Sequence, residues 1–102
     1  MITRIVKMTI RTEEVERFIQ LFESHRDAIS AMSGCEGLQL LNDITSNGIC
    51  FTVSIWQSET DLENYRKSEL FRMIWPQVKA LFHCPAEAWT VKEIQPSMIH
   101  TH

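Results

Sequence analysis

The sequence predicts an α+β domain with the element order β-α-β-β-α-β, and three features point there. Residues alternate with period two near the start and again over 49–55, an amphipathic helical stripe lies between the first of these runs and a second apolar run, and a long second helical stretch precedes a short β-rich segment. The 102 residues fit one domain, read as 1–94 with a polar tail over 95–102. A chain of that length buries roughly 65% of its unfolded surface, enough for one core.

Each element has a local reason. Ile2, Val6, Met8 and Ile10 lie on one side of a first strand, with Thr3, Lys7 and Thr9 on the other. Thr12 is placed to cap a helix whose first turn carries Glu13, Glu14 and Glu16, where carboxylates favour the positive end of the helix dipole. Val15, Phe18, Phe22, Ile29 and Met32 form its apolar stripe, Ile19 widens it, and His25 fills the slot between Phe22 and Ile29. Gly34 and Gly37 end the helical pattern near Ser33.

Leu38, Leu40 and Leu41 begin a hairpin that turns through Ser46-Asn47-Gly48 into a strand with alternating Ile49, Phe51, Val53 and Ile55. Ser58 with Asp61 caps a short helix carrying Leu62 and Tyr65, and Ser68 with Glu69 restarts it. The restarted helix carries Leu70, Phe71, Ile74, Trp75, Val78, Leu81 and Phe82, and Pro76 inside it predicts a kink or a break. After His83-Cys84-Pro85, residues Ala88–Ile94 read as the last strand. This is the ferredoxin-like arrangement, a four-stranded antiparallel sheet with helices on one face.

A sheet covered on one side leaves the other to water. Cys50, Thr52 and Trp56 stand opposite the Ile/Phe/Val side of the third strand, and Trp89 and Val91 belong to the fourth. These residues suggest a second layer on the helix-free face, which a second copy of the chain would supply as a homodimer. The competing reading is a monomer with scattered exposed aromatics.

Composition narrows the function classes. A formal charge of −3 provides no broad positive field for nucleic acid, and no apolar run approaches the roughly 20 residues that cross a bilayer. The expected compartment is the cytoplasm. Cys35, Cys50 and Cys84 are odd in number and lack C-x-x-C spacing, so they read as reduced, small, buried hydrophobes. Neither a nucleophile-elbow motif nor a phosphate-binding glycine loop occurs. His83-Cys84 with His100 and His102 matches no zinc spacing, so no metal site is expected.

The stretch FTVSIWQSETDLENYRKSELFRMIWPQVKALF, from Phe51 to Phe82, resembles the strand, W-x-S, helix and S-x-x-F core of the antibiotic biosynthesis monooxygenase superfamily. Trp56, Ser58, Tyr65, Ser68, Phe71 and Trp75 carry the resemblance. It implies a dimeric α+β barrel with a pocket between each subunit's sheet and helices. It also implies cofactor-independent oxygenation of an aromatic or quinol-like small molecule. Haem-degrading members resemble the chain in layout but carry an Asn on strand one, a Trp on the second helical segment and a ligating His ten residues further on. Here those positions hold Val6 or Lys7, Tyr65 and Trp75. An indole offers no basic lone pair to iron, so haem degradation by that route is not expected.

His25 is the candidate catalytic residue, because imidazole titrates nearest neutrality and this one lies in an apolar stripe facing the sheet. The competing reading is a half-buried histidine bonded to a backbone carbonyl. Tyr65 and Trp75, with Trp56, Phe22 and Phe71, are the candidate substrate-binding residues, set against plain core packing or, for Trp56, a plug at the strand-to-helix corner. Arg66 and Arg72 read as solvated helix charges. A non-catalytic dimeric barrel that binds a hydrophobic small molecule is the alternative function.

Overall fold

The computed structural model describes residues 1–95. Strand β1 (Ile2–Ile10) leads through a 3-10 turn at Thr12–Glu14 into helix α1 (Val15–Ser30). Strands β2 (Cys35–Asn42) and β3 (Ile49–Trp56) form the hairpin, helices α2 (Glu59–Arg66) and α3 (Glu69–Lys79) follow, and β4 (Phe82–Val91) returns to the sheet. The four strands are antiparallel in the order β2-β3-β1-β4. This is the ferredoxin-like α+β fold, and its core joins Met8, Ile10 and Cys50 of the sheet to Val15, Phe18, Ile29, Ile74 and Val78 of the helices.

The break between α2 and α3 falls where serine capping predicts it. Ser58 Oγ accepts from the Asp61 amide at 3.1 Å, and Ser68 Oγ accepts from the Phe71 amide at 3.1 Å. Ser68 also donates to the Tyr65 carbonyl at 2.6 Å, tying the end of one helix to the start of the next. Pro76 produces no break: α3 runs through it. The amide that proline lacks would have served Arg72, and both residues lie on an exposed turn where water reaches the carbonyl.

Other boundaries shift. Thr12 opens the 3-10 turn instead of capping α1, whose start has no side-chain cap. Helix α1 ends at Ser30, β2 starts at Cys35, and Ile19 is exposed. Strand β4 starts at Phe82 and ends at Val91, not over Ala88–Ile94. Pro85 suggested a turn, but β4 is an edge strand, where a missing amide costs least. Register shifts opposite Lys7, Thr9 and Ile10 absorb the irregularity.

The two faces of β3 are the reverse of the expected assignment, whereas Ile2, Val6, Met8 and Ile10 of β1 and Trp89 and Val91 of β4 lie on the sides expected of them. β1 pairs Met8 with Cys50, Val6 with Thr52, Arg4 with Ser54 and Ile2 with Trp56, so these residues share the helix side. Cys50 and Trp56 are 1% and 0% exposed there. The helix-free side carries Ile49, Phe51, Val53 and Ile55, with Ile5 of β1, Leu41 of β2 and Trp89 and Val91 of β4. Alternation separates two faces without saying which one the helices cover. That face is consequently more apolar than expected, and Leu41, Ile55, Trp89 and Val91 remain 36–45% exposed on it.

Gly34 closes the α1-β2 turn at φ 83°, and its carbonyl accepts from the Gln57 amide at 2.8 Å, pinning the turn to the end of β3. A Cβ at this position would overlap the Asp61 side chain at the start of α2. Gly34→Ala is therefore expected to destabilise the fold by roughly 1–3 kcal/mol, through left-handed strain and this clash, read by urea denaturation. An unchanged midpoint would show that the turn relaxes freely.

Candidate functional site

Between the sheet and the helices lies a cavity of about 250 Å³. It sits just below the roughly 300 Å³ where small-molecule chambers begin. Its floor is built from short inward side chains, Thr52 and Ser54 on β3 and Ala86 and Ala88 on β4, and the absence of bulk at these four positions is what leaves the space. Its walls come from the helices. Val15, Phe18, Phe22, His25 and Ile29 follow the three-and-four spacing of α1, which turns Phe22 and His25 inward as half-buried members of the stripe.

All six residues singled out in the sequence, His25, Tyr65, Trp75, Trp56, Phe22 and Phe71, line this one cavity. Four of them form a continuous aromatic series with Phe82. Trp56 stacks on Tyr65 at 5.1 Å, Tyr65 meets Phe71 edge-on at 5.3 Å, Phe71 stacks on Trp75 at 5.7 Å, and Trp75 meets Phe82 edge-on at 5.7 Å. These separations lie in the range where aromatic pairs attract beyond their buried area. Trp56 is the fixed end: its indole Nε1 donates to Ser54 Oγ at 2.9 Å, so a fully buried ring keeps its one polar atom satisfied.

Burial, and more weakly the Cys35 thiol, push the Tyr65 phenol up to about 12. Tyr65 thus stays protonated at neutral pH and offers the cavity an O–H donor, which leaves His25 as the basic side chain among the six. A raised folded value has a stability consequence. The unfolded phenol ionises near pH 10. Between there and about 12 the unfolded chain binds fewer protons than the folded one, so stability falls as pH rises through this window. Urea midpoints at alkaline pH should show that decline, and Tyr65→Phe should flatten it.

The cysteines differ from one another. Cys50 is buried and Cys35 partly so, and burial raises both thiols away from thiolate reactivity, whereas Cys84 is exposed. Cys84 and His83 lie along a shallower depression beside Lys79. Among the described residues no group of three or more His, Cys, Asp or Glu is placed to hold a metal, and His100 and His102 lie outside the described residues. No helix among the described residues is long and apolar enough to cross a membrane.

One lining residue escaped sequence reasoning and another was read differently. Arg4 takes an inward position on β1, between Ile2 and Val6, and Arg66, read as a solvated helix charge, lines the cavity from the last turn of α2 while its side chain stays 45% exposed. Strict alternation on β1 already put Arg4 on the Ile2/Val6/Met8 side, and its charge obscured that signal. Arg72 is exposed, as expected of a solvated charge.

The family profile described as antibiotic biosynthesis monooxygenase matches residues 1–75. The chain belongs to this family. Solved structures agree in fold. An antibiotic biosynthesis monooxygenase superposes with a TM-score of 0.87 at 16% identity, over 93% of this chain and 100% of its own. A conserved protein from Methanosarcina mazei Go1 gives 0.86 at 20% identity, over 90% and 91%. Rv0793 from Mycobacterium tuberculosis gives 0.85 at 17% identity, over 94% and 97%. No curated protein matches the chain by sequence. At the strand-one position that distinguishes haem-degrading relatives, this family member turns Val6 into the cavity and Lys7 to the opposite face, where Lys7 pairs with Glu87 at 3.8 Å.

Proposed function

We propose that the chain is a cofactor-independent monooxygenase of an aromatic or quinol-like small molecule, with His25 as its general base. Tyr65, Trp75, Phe22 and Phe71 form the surface on which the substrate ring stacks, and the fully buried Trp56 backs Tyr65. The observation that carries this reading is the convergence of one imidazole and six aromatic side chains on a single, largely apolar cavity in a monooxygenase-family fold. His25 takes the phenolic or benzylic proton, and the resulting electron-rich anion reduces O₂. One oxygen atom stays on the ring as a carbonyl and the other leaves as water, so the substrate supplies the electrons and no external reductant enters. The apolar walls exclude bulk water from the intermediate.

The working unit in this reading is a homodimer closed through the helix-free sheet face. Support comes from the eight apolar residues gathered there, of which Leu41, Ile55, Trp89 and Val91 are 36–45% exposed in the single subunit. The test of function is oxygen uptake with a panel of anthrones and hydroxynaphthalenes. Consumption of one O₂ per quinone formed supports the monooxygenase. Saturable binding without uptake would favour a non-catalytic barrel.

A further inference from the structure

One part of the cavity carries charge that neither the aromatic series nor His25 uses. Arg4 lies in the sheet between Ser54 of β3 and Thr90 of β4, and it lines the cavity together with Arg66. Arg4 Nη1 donates to Thr90 Oγ1 at 2.9 Å, a neutral acceptor. Arg66 pairs with Glu63 one helical turn earlier at 3.6 Å. The charged groups that act on Arg4 are Arg66 and Glu63; burial and then Arg66 lower its affinity for the proton, and Glu63 opposes them. Two guanidiniums therefore face one carboxylate, leaving one positive charge unmatched at the edge of an apolar chamber.

Both side chains are partly open to water, so the unmatched charge is tolerated beside the cavity and gains most when an oxyanion enters it. A guanidinium presents a planar fork of donors whose natural partner is an oxyanion with two acceptor oxygens. The neighbouring Ser54 hydroxyl, which accepts from Trp56, is neutral and supplies no counter-charge.

We propose that Arg4 and Arg66 form an oxyanion subsite of the cavity, so that its aromatic ligand carries a carboxylate or an equivalent anionic group beside the ring. This rests on the cavity being an aromatic-ligand site, as proposed above. The subsite orients the ring by holding its anionic substituent at the α2 and β4 side, which makes Arg4 and Arg66 specificity determinants.

Calorimetric titration with hydroxynaphthoate and with neutral naphthol separates the two layers of the argument. The wild type should bind hydroxynaphthoate about tenfold more tightly than naphthol, and added salt should weaken the former alone. Arg4→Gln should bring the two affinities to within about twofold while naphthol binding stays unchanged. Arg66 has a 45% exposed side chain, so Arg66→Gln provides a variant that folds if Arg4→Gln does not, and it should lower the preference by about threefold. Equal wild-type affinities, or a preference that survives both substitutions, would overturn the subsite and leave the aromatic cavity standing. Failure of both probes to bind would overturn the cavity reading and the subsite with it.

Discussion

His25→Ala is expected to lower the proposed oxygen uptake by about 10²–10⁴-fold, the range that a positioned general base contributes. The loss is expected in kcat, because the aromatic walls that bind the ring are untouched, so KM should move little. The residue sits on the half-buried edge of the α1 stripe, and the neighbouring Phe18 and Ile29 anchor the helix at 1% and 5% exposure. Far-UV circular dichroism should therefore be unchanged. Added imidazole should restore part of the rate, since the side chain removed leaves a gap on the cavity wall. Uptake equal to that of the wild type would remove His25 from the mechanism. A variant that neither binds nor folds would recast the residue as part of the core.

Ile5→Glu is expected to split the proposed dimer, changing the sedimenting mass from twice 11.9 kDa to that of one subunit. Ile5 lies at the middle of the helix-free face, paired with Val53 on one side and Trp89 on the other. In a lone subunit a carboxylate there points to water and costs little. In a two-fold interface two such charges face a dry apolar layer, at several kcal/mol per ion, so the dimer weakens by about 10³-fold or more. Trp89→Ser, at the edge strand, removes one large apolar contact and should weaken association by less. A wild type that sediments as a monomer, or an Ile5→Glu variant that stays dimeric, would show that this face is not the interface.

These two experiments test different kinds of inference. Helix faces were legible because the three-and-four spacing has a single solution: the stripe Val15, Phe18, Phe22, His25, Ile29 could only turn His25 toward the sheet, and there it lies. The starts of α2 and α3 were legible through Ser58 and Ser68, whose side chains cap them, while the inward place of Tyr65 and Trp75 was expected from the family resemblance. Strand faces were not. The run Ile49, Phe51, Val53, Ile55 looks like a core side by hydropathy, yet it faces away from the helices, because the cavity needs Thr52 and Ser54 as a shallow floor. Hydrophobicity marks what leaves water, and it does not distinguish a subunit's own core from a surface awaiting a partner.

The extent of β4 and the place of Arg4 have the same origin. Pro85 reads locally as a stop, and only its position on an edge strand, within the bulged stretch of β4 that faces Lys7 to Ile10 of β1, makes it compatible with pairing. Arg4 reads locally as a surface charge, and only its registry between Ser54 and Thr90 brings it to the cavity. By itself the sequence determined the order of elements, the caps of α2 and α3 and the inward stripe of each helix, since these depend on neighbours three or four residues away. Tertiary structure alone decided which side of the sheet the helices cover, where an edge strand begins and which charges meet a cavity. Those outcomes depend on pairing between residues as far apart as Arg4 and Thr90, and no local pattern encodes the register that joins them.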